Sequence, residues 1–256
     1  MKISIFMLLA LLSATLVTGQ EYKITFQNSK DGKLALYQLT GDLPVEGYNG
    51  NEIIITSISE KLAPPERARG LKPVFPGGTD NSGLGLAVEK NGNQISVTCL
   101  LPITRKGDYK IKVPENLSLE IESGCERSSN ISVINMKNEI EVKSCHDIKL
   151  INVTGPLVLS TIAGDIDITF TNIALDKPFS INSVSGDIDV TIPAKASMDL
   201  KLHTINGGFY SDFDISETQK NLKRIGGNQL SFPLNGGGSE FSIITVNGNI
   251  FLRKGN

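Results

Sequence analysis

Thr161-Ile-Ala-Gly-Asp-Ile-Asp-Ile168 and Ser183-Val-Ser-Gly-Asp-Ile-Asp-Val190 are one pattern written twice, with their glycines 22 residues apart. Thr204-Ile-Asn-Gly-Gly-Phe-Tyr-Ser211 and Thr245-Val-Asn-Gly-Asn-Ile-Phe-Leu252 repeat it. Each copy has a hydroxyl residue, a β-branched apolar residue, a small or amide residue, a glycine, and then a strand. The glycines at 164, 186, 207 and 248 give intervals of 22, 21 and 41, the last being about two repeats. A period near 21 with one corner glycine per copy predicts a parallel β-solenoid, because one repeat cannot bury its apolar face alone. Ile166 and Ile188 then stack at ~4.8 Å in a continuous interior. Glycine or asparagine at the corner is expected to supply a positive φ.

Working outward, alternation dominates everything after position 20: Ile-Asp-Ile-Thr-Phe at 166–170, Ile-Asp-Val-Thr-Ile at 188–192 and Ile-Glu-Val-Lys at 140–143. Such segments have one apolar and one polar face, as half-buried strands do. Degraded copies stand earlier, as Thr40-Gly-Asp-Leu-Pro-Val45, Asn49-Gly-Asn-Glu-Ile-Ile54 and Val153-Thr-Gly-Pro-Leu-Val158. The alternative is an antiparallel β-sandwich, which signals turns every 8–12 residues without a recurring motif. Two stretches interrupt the pattern: a Pro/Gly-rich excursion at 62–85, read as a binding loop or a cap over a sheet edge, and a Gly-rich one at 216–238. With no sharp composition shift, 20–256 reads as a single all-β domain.

Residues 1–19 read as a secretory signal peptide, with Lys2 before an apolar run and Val17 and Gly19 at a small-residue cleavage site. The run is too short to span a membrane, and no later stretch is apolar for long enough. Ile occurs 29 times and Ala 10 times, a β-rich balance, and the formal charge is -2. That near-neutrality, without a basic stripe, argues against nucleic acid as a partner.

The repeats at 160–168 and 183–190, with Leu-Asn-Gly-Gly-Gly-Ser-Glu-Phe at 234–241 ahead of Thr-Val-Asn-Gly-Asn-Ile at 245–250, resemble the bacterial putative-adhesin β-repeat family. The resemblance covers roughly residues 110–254. It implies a parallel β-solenoid outside the cytoplasm of a Bacteroidetes-like bacterium, and its motif describes turns and strands rather than catalytic residues. Phe251, at an outward position, departs from the pattern.

Chemistry-bearing groups are sparse. His146 and His203 are isolated, no G-x-S-x-G nucleophile motif occurs, and Cys125, Cys145 and His146 lack the spacing of a zinc site. No catalytic residue and no cofactor are assigned. Cys125 and Cys145, 20 residues apart, are a disulfide candidate between neighbouring repeats, leaving Cys99 over. Asp165 and Asp167, with Asp187 and Asp189 one repeat on, are paired carboxylates within the repeats. As stacked carboxylates they would repel. As a calcium candidate they offer four side chains where calcium takes six to eight oxygens. No His, Arg or Lys stands beside them in sequence to tune a proton transfer. The expected function is an exported, non-enzymatic, adhesin-like or cell-envelope interaction module, periplasmic, outer-surface or secreted, whose partner is an envelope protein or glycan. The alternative is a polysaccharide-acting enzyme on a β-helix scaffold.

Overall fold

The computed structural model describes residues 20–26, 30–59, 66–71, 73–105, 107–174, 177–215 and 227–255. The expected leader, part of the 62–85 excursion and residues 216–226 lie outside them. The amino-terminal part supplies β1 (Gln20–Thr25), β2 (Lys33–Tyr37), β3 (Gly41–Tyr48), β4 (Glu52–Ser57), β5 (Leu86–Asn91), β6 (Gln94–Cys99) and β7 (Tyr109–Pro114). The middle supplies β8 (Ser118–Glu122), β9 (Ser128–Ile134), β10 (Ile140–Ser144), β11 (Ile148–Val153), β12 (Leu157–Ala163), β13 (Ile166–Phe170), β14 (Phe179–Ser185) and β15 (Ile188–Pro193). The remainder supplies β16 (Met198–Asn206), β17 (Phe209–Ser211), β18 (Asn228–Leu234), β19 (Glu240–Asn247) and β20 (Ile250–Gly255).

The strands form two ten-stranded mixed sheets. Sheet 1 has the order β1-β4-β7-β3-β9-β11-β13-β15-β20-β17, and sheet 2 the order β18-β16-β19-β14-β12-β10-β8-β2-β6-β5. Pairing through the interior is parallel, and antiparallel pairs occur towards the ends, at β1/β4, β4/β7, β5/β6 and β16/β18. A chain passing from sheet 2 through a corner into sheet 1 makes one layer, so β8/β9, β10/β11, β12/β13 and β14/β15 stack in sequence order. Alternation aligns their inward residues: Ile131, Ile148, Ile166, Ile188 and Ile250 stand directly across from one another in sheet 1, each at most 1% exposed. Inward residues of both sheets join in one hydrophobic core. Each such isoleucine contributes about 1.5–3 kcal/mol by leaving water.

At both ends the layer order departs from a simple sequential coil. The β2/β3 layer lies between β6/β7 and β8/β9, and the β19/β20 layer lies between β14/β15 and β16/β17. The Gly248 copy therefore sits directly on the Gly186 copy, and the Gly207 copy lies outside it, so the 41-residue interval is not two steps along the stack. The 216–238 stretch is also not wholly an excursion, since β18 within it pairs with β16 from Met198↔Leu234 to Thr204↔Asn228.

The end of the 62–85 stretch protects an edge strand. Asn81 Nδ2 donates to the Val88 carbonyl at 2.8 Å and its Oδ1 accepts the Val88 amide at 2.9 Å, an arrangement that imitates a neighbouring strand on β5. Ser82 Oγ likewise donates to the Leu86 carbonyl at 3.1 Å and accepts the Leu86 amide at 3.3 Å. Burial alone would raise the Asp80 carboxyl. Hydrogen bonds from the Ser82 hydroxyl and the amides of Gly85, Ser82 and Gly83 instead hold it below its ordinary value. Occupying edge N–H and C=O groups in this way removes a template for unwanted pairing.

Candidate functional site at the repeat corner and the outer face of sheet 1

Each position of the repeated motif has its own task at the corner between sheets. The hydroxyls point inward and are buried, and each donates to a corner carbonyl one layer back. Thr161 Oγ1 bonds the His146 carbonyl at 2.8 Å, Ser183 Oγ that of Gly164 at 3.3 Å, Thr245 Oγ1 that of Gly186 at 3.0 Å, and Thr204 Oγ1 that of Gly248 at 2.8 Å. A buried acceptor left without such a donor costs about 1–3 kcal/mol. The degraded copy keeps the device, with Thr40 Oγ1 donating to Gly107.

The glycines answer a steric demand. A Cβ on Gly186 would overlap the Gly164 carbonyl, one on Gly248 the Gly186 carbonyl, and one on Gly207 the Gly248 carbonyl. Of the four repeat glycines only Gly186 has a positive φ, at 155°. The expectation of a left-handed corner is therefore corrected for Gly164, Gly207 and Gly248: the backbones approach too closely for any side chain.

Aspartate follows glycine as a second linker. Asp165 N donates to Asp147 Oδ1 at 3.0 Å, Asp187 N to Asp165 Oδ1 at 2.8 Å, and Asn249 N to Asp187 Oδ1 at 2.6 Å. The series ends with Gly208 N on Asn249 Oδ1 at 3.0 Å. Carboxylate or amide oxygens thus capture main-chain amides through five successive corners. Asp42, in the early copy, does the same for Asn130 N at 3.1 Å.

Asp167 and Asp189 are set apart from this ladder. They stand across from each other on the outer face of sheet 1, in a row that runs Lys149, Asp167, Asp189, Phe251, Tyr210. Arg253 reaches over from the next row and grips Asp189 with both ends of its fork, Nε at 2.8 Å and 2.9 Å and Nη2 at 2.7 Å. A basic companion for the acidic set therefore exists, although 64 residues separate the pair. Partial burial, and next the charge of Asp189, lift the Asp167 carboxyl above its ordinary value, with Lys149 opposing. Arg253 also lies 5.8 Å from the centre of the Phe251 ring, which stacks on Tyr210 with centroids 5.1 Å apart and planes at 17°.

The four candidate aspartates thus occupy two settings, one pair turned to the corner main chain and one on the sheet face. Among the described residues no group of three or more His, Cys, Asp or Glu is placed to hold a metal ion. Cys125 and Cys145 occupy the corners of adjacent layers with sulfurs at bonding distance and Cα atoms 4.9 Å apart, inside the range a disulfide spans. Cys99 is a buried free thiol, and burial pushes its pKa up. The Tyr210–Phe251–Arg253 group was not readable from sequence, apart from the outward placing of Phe251.

The sequence profile of the Toastrack DUF4097 family matches residues 103–253. Two solved structures are similar at low identity. One is a putative cell adhesion protein from Clostridium sporogenes, 14% identical, covering 93% of this chain and 100% of its own with a TM-score of 0.46. The other is a putative adhesin from Bacteroides fragilis, 10% identical, covering 91% of this chain and 95% of its own with a TM-score of 0.29. No protein of curated function matches the chain.

Proposed function

Because the chain belongs to the Toastrack DUF4097 family, we propose that it is an exported, non-enzymatic interaction module of the cell envelope, folded as one flattened β-solenoid domain over 20–256 behind a cleaved leader. The observation that carries this reading is the employment of its acidic groups. Asp165 and Asp187 each hold a main-chain amide of the next layer, and both oxygens of Asp189 are taken by Arg253. A general acid or base needs a carboxyl free to exchange its proton with a substrate. What remains for function is a stiff, regular outer surface on which side chains are held at strand spacing. No described helix is long and apolar enough to cross a membrane. A disulfide between Cys125 and Cys145, whose sulfurs lie at bonding distance, would also suit an exported chain.

The alternative, an enzyme acting on polysaccharide, draws on one observation, the raised Asp167 carboxyl facing Asp189. Incubating the purified protein with envelope polysaccharides, and measuring both bound polymer and released reducing ends, separates the two. Binding without release is expected. Release that Asp187→Asn or Asp167→Asn abolishes would overturn the module reading. Asp187→Asn is a fair probe, because Asn249 makes the same corner bond in the neighbouring layer.

A further inference from the structure

Three residues after each corner glycine, the repeat places an outward side chain on sheet 1. In two layers it is Asp167 and Asp189, and in the last two it is Phe251 and Tyr210, directly in line. Tyr210 is 56% exposed and Phe251 is half-buried, so the ring pair is not part of the core. Cross-strand aromatic pairing adds only about 0.2–1 kcal/mol to a sheet. That small gain does not account for exchanging two polar outward positions for two large rings.

The surroundings of the rings indicate a ligand class. Asp189 and Arg253 form a two-pronged ion pair beside Phe251, and among the described residues Nη1 of Arg253 has no partner. The Asp167 carboxylate accepts no hydrogen bond among the described residues. Thr169 and Thr191 lie on the same face, in the row that leads to Arg253. We propose that Tyr210 and Phe251 are the stacking platform of a binding site for a neutral saccharide chain, with Arg253, Asp189 and Asp167 as its hydroxyl-binding rim. This rests on the reading of the protein as an interaction module.

The chemistry converges on that class. A pyranose offers an apolar C–H face to an aromatic ring and a girdle of hydroxyls that both donate and accept. Aromatic rings with a few fixed polar groups make such a site. Lys149, Asp167, Asp189 and Arg253 cancel in formal charge, which favours neither a polyanion nor a polycation. Layers repeat at ~4.8 Å along the stack, close to the length of one pyranose unit, so successive sugars of an extended chain meet successive layers.

Calorimetric titration of the purified protein with cellohexaose and with chitohexaose tests the site. Binding of at least one of them is expected, weakened tenfold or more by Tyr210→Ala and by Phe251→Ala. Tyr210→Phe should retain it and Arg253→Lys should lower it severalfold. Thermal melts of each variant show whether the fold is kept, and Tyr210→Phe with Arg253→Lys carry the test if the alanine variants fail to fold. Absence of binding to both sugars, or binding indifferent to these substitutions, overturns the platform. So does preferential binding of dextran sulfate or polylysine at the same residues. Sugar binding elsewhere on the protein would leave the module reading standing while overturning the platform. Cleavage of the bound sugar would overturn the module reading and leave the platform in place.

Discussion

Replacing Gly248 with alanine places a methyl group in a gap between two layers that is too narrow to hold it. The new Cβ overlaps the Gly186 carbonyl oxygen and lies 2.6 Å from the Gly186 carbonyl carbon and 3.1 Å from the Asp187 nitrogen, all main-chain atoms that no rotamer change relieves. Reaching an ordinary contact of about 3.5 Å requires the β14/β15 and β19/β20 layers to part locally by roughly 1 Å or more. Three of the hydrogen bonds that span that gap stand to be lost: Asn249 N to Asp187 Oδ1 at 2.6 Å, Ile188 N to the Asn249 carbonyl at 2.9 Å, and Thr245 Oγ1 to the Gly186 carbonyl at 3.0 Å. At about 0.5–1.5 kcal/mol net for each, their loss amounts to about 1.5–4.5 kcal/mol. For a chain of this size that lowers the melting midpoint by about 3–18 °C. Differential scanning calorimetry at neutral pH measures it. Gly248→Asn sharpens the test, because asparagine tolerates a left-handed backbone whereas no side chain tolerates the close approach. A midpoint unchanged in the alanine variant, or an asparagine variant clearly more stable than the alanine one, would refute the steric account.

Thr245→Val, which keeps the shape and removes the hydroxyl, strands the Gly186 carbonyl and should cost about 1–3 kcal/mol in denaturant melts, with Thr245→Ser much milder; equal stability of valine and threonine would contradict the hydroxyl column. The folded Asp167 carboxyl is held above its ordinary value, so the native state binds more protons than the unfolded one in the range just above that value. Its contribution to stability therefore falls as pH rises through that range, and Asp167→Asn should melt higher than the parent at pH 7 and show a flatter dependence from pH 3 to 7. Unreduced, denatured protein should show one free thiol, Cys99. Reduction should lower stability by about 3 kcal/mol for a loop of this length, and three thiols before reduction would contradict the pairing. Millimolar calcium should leave the melting midpoint unchanged, since Asp165 and Asp187 are turned away from Asp167 and Asp189. A calcium-dependent rise lost in Asp165→Asn with Asp187→Asn would reinstate that ion.

The interior of the fold was legible because its signal is local. Ile166-Asp-Ile-Thr-Phe170 alternates within one strand, and the glycine spacing of 22 equals one turn of chain, so the register Asp167↔Asp189 follows from counting. The order of layers at the ends was not legible. The Gly186, Gly207 and Gly248 copies present nearly the same edge, so sequence alone does not say which two meet. Tertiary fit decides, and with it the contacts of Asp189 with Arg253 and of Phe251 with Tyr210. The reason for the glycines was also hidden, since sequence shows a missing side chain without showing whether dihedral freedom or space required its absence. The antiparallel strands β1, β5 and β18 carry no copy of the corner motif and left only generic alternation to read, and β4 follows the glycine of the degraded copy at 49–54 yet pairs antiparallel with β1 and β7, which that copy did not signal.

The exchanged layers make strands that come earlier in the chain wait for later ones. β16, β17 and β18 precede β19 and β20, yet β19 and β20 are the inner courses of the stack and the earlier three lie outside them. This part of the fold therefore cannot close strand by strand in the order of synthesis, because β16 and β17 have no inner course to dock on until residues 240–255 are in place. Cutting the chain between β19 and β20 should accordingly release everything outside them at once rather than gradually.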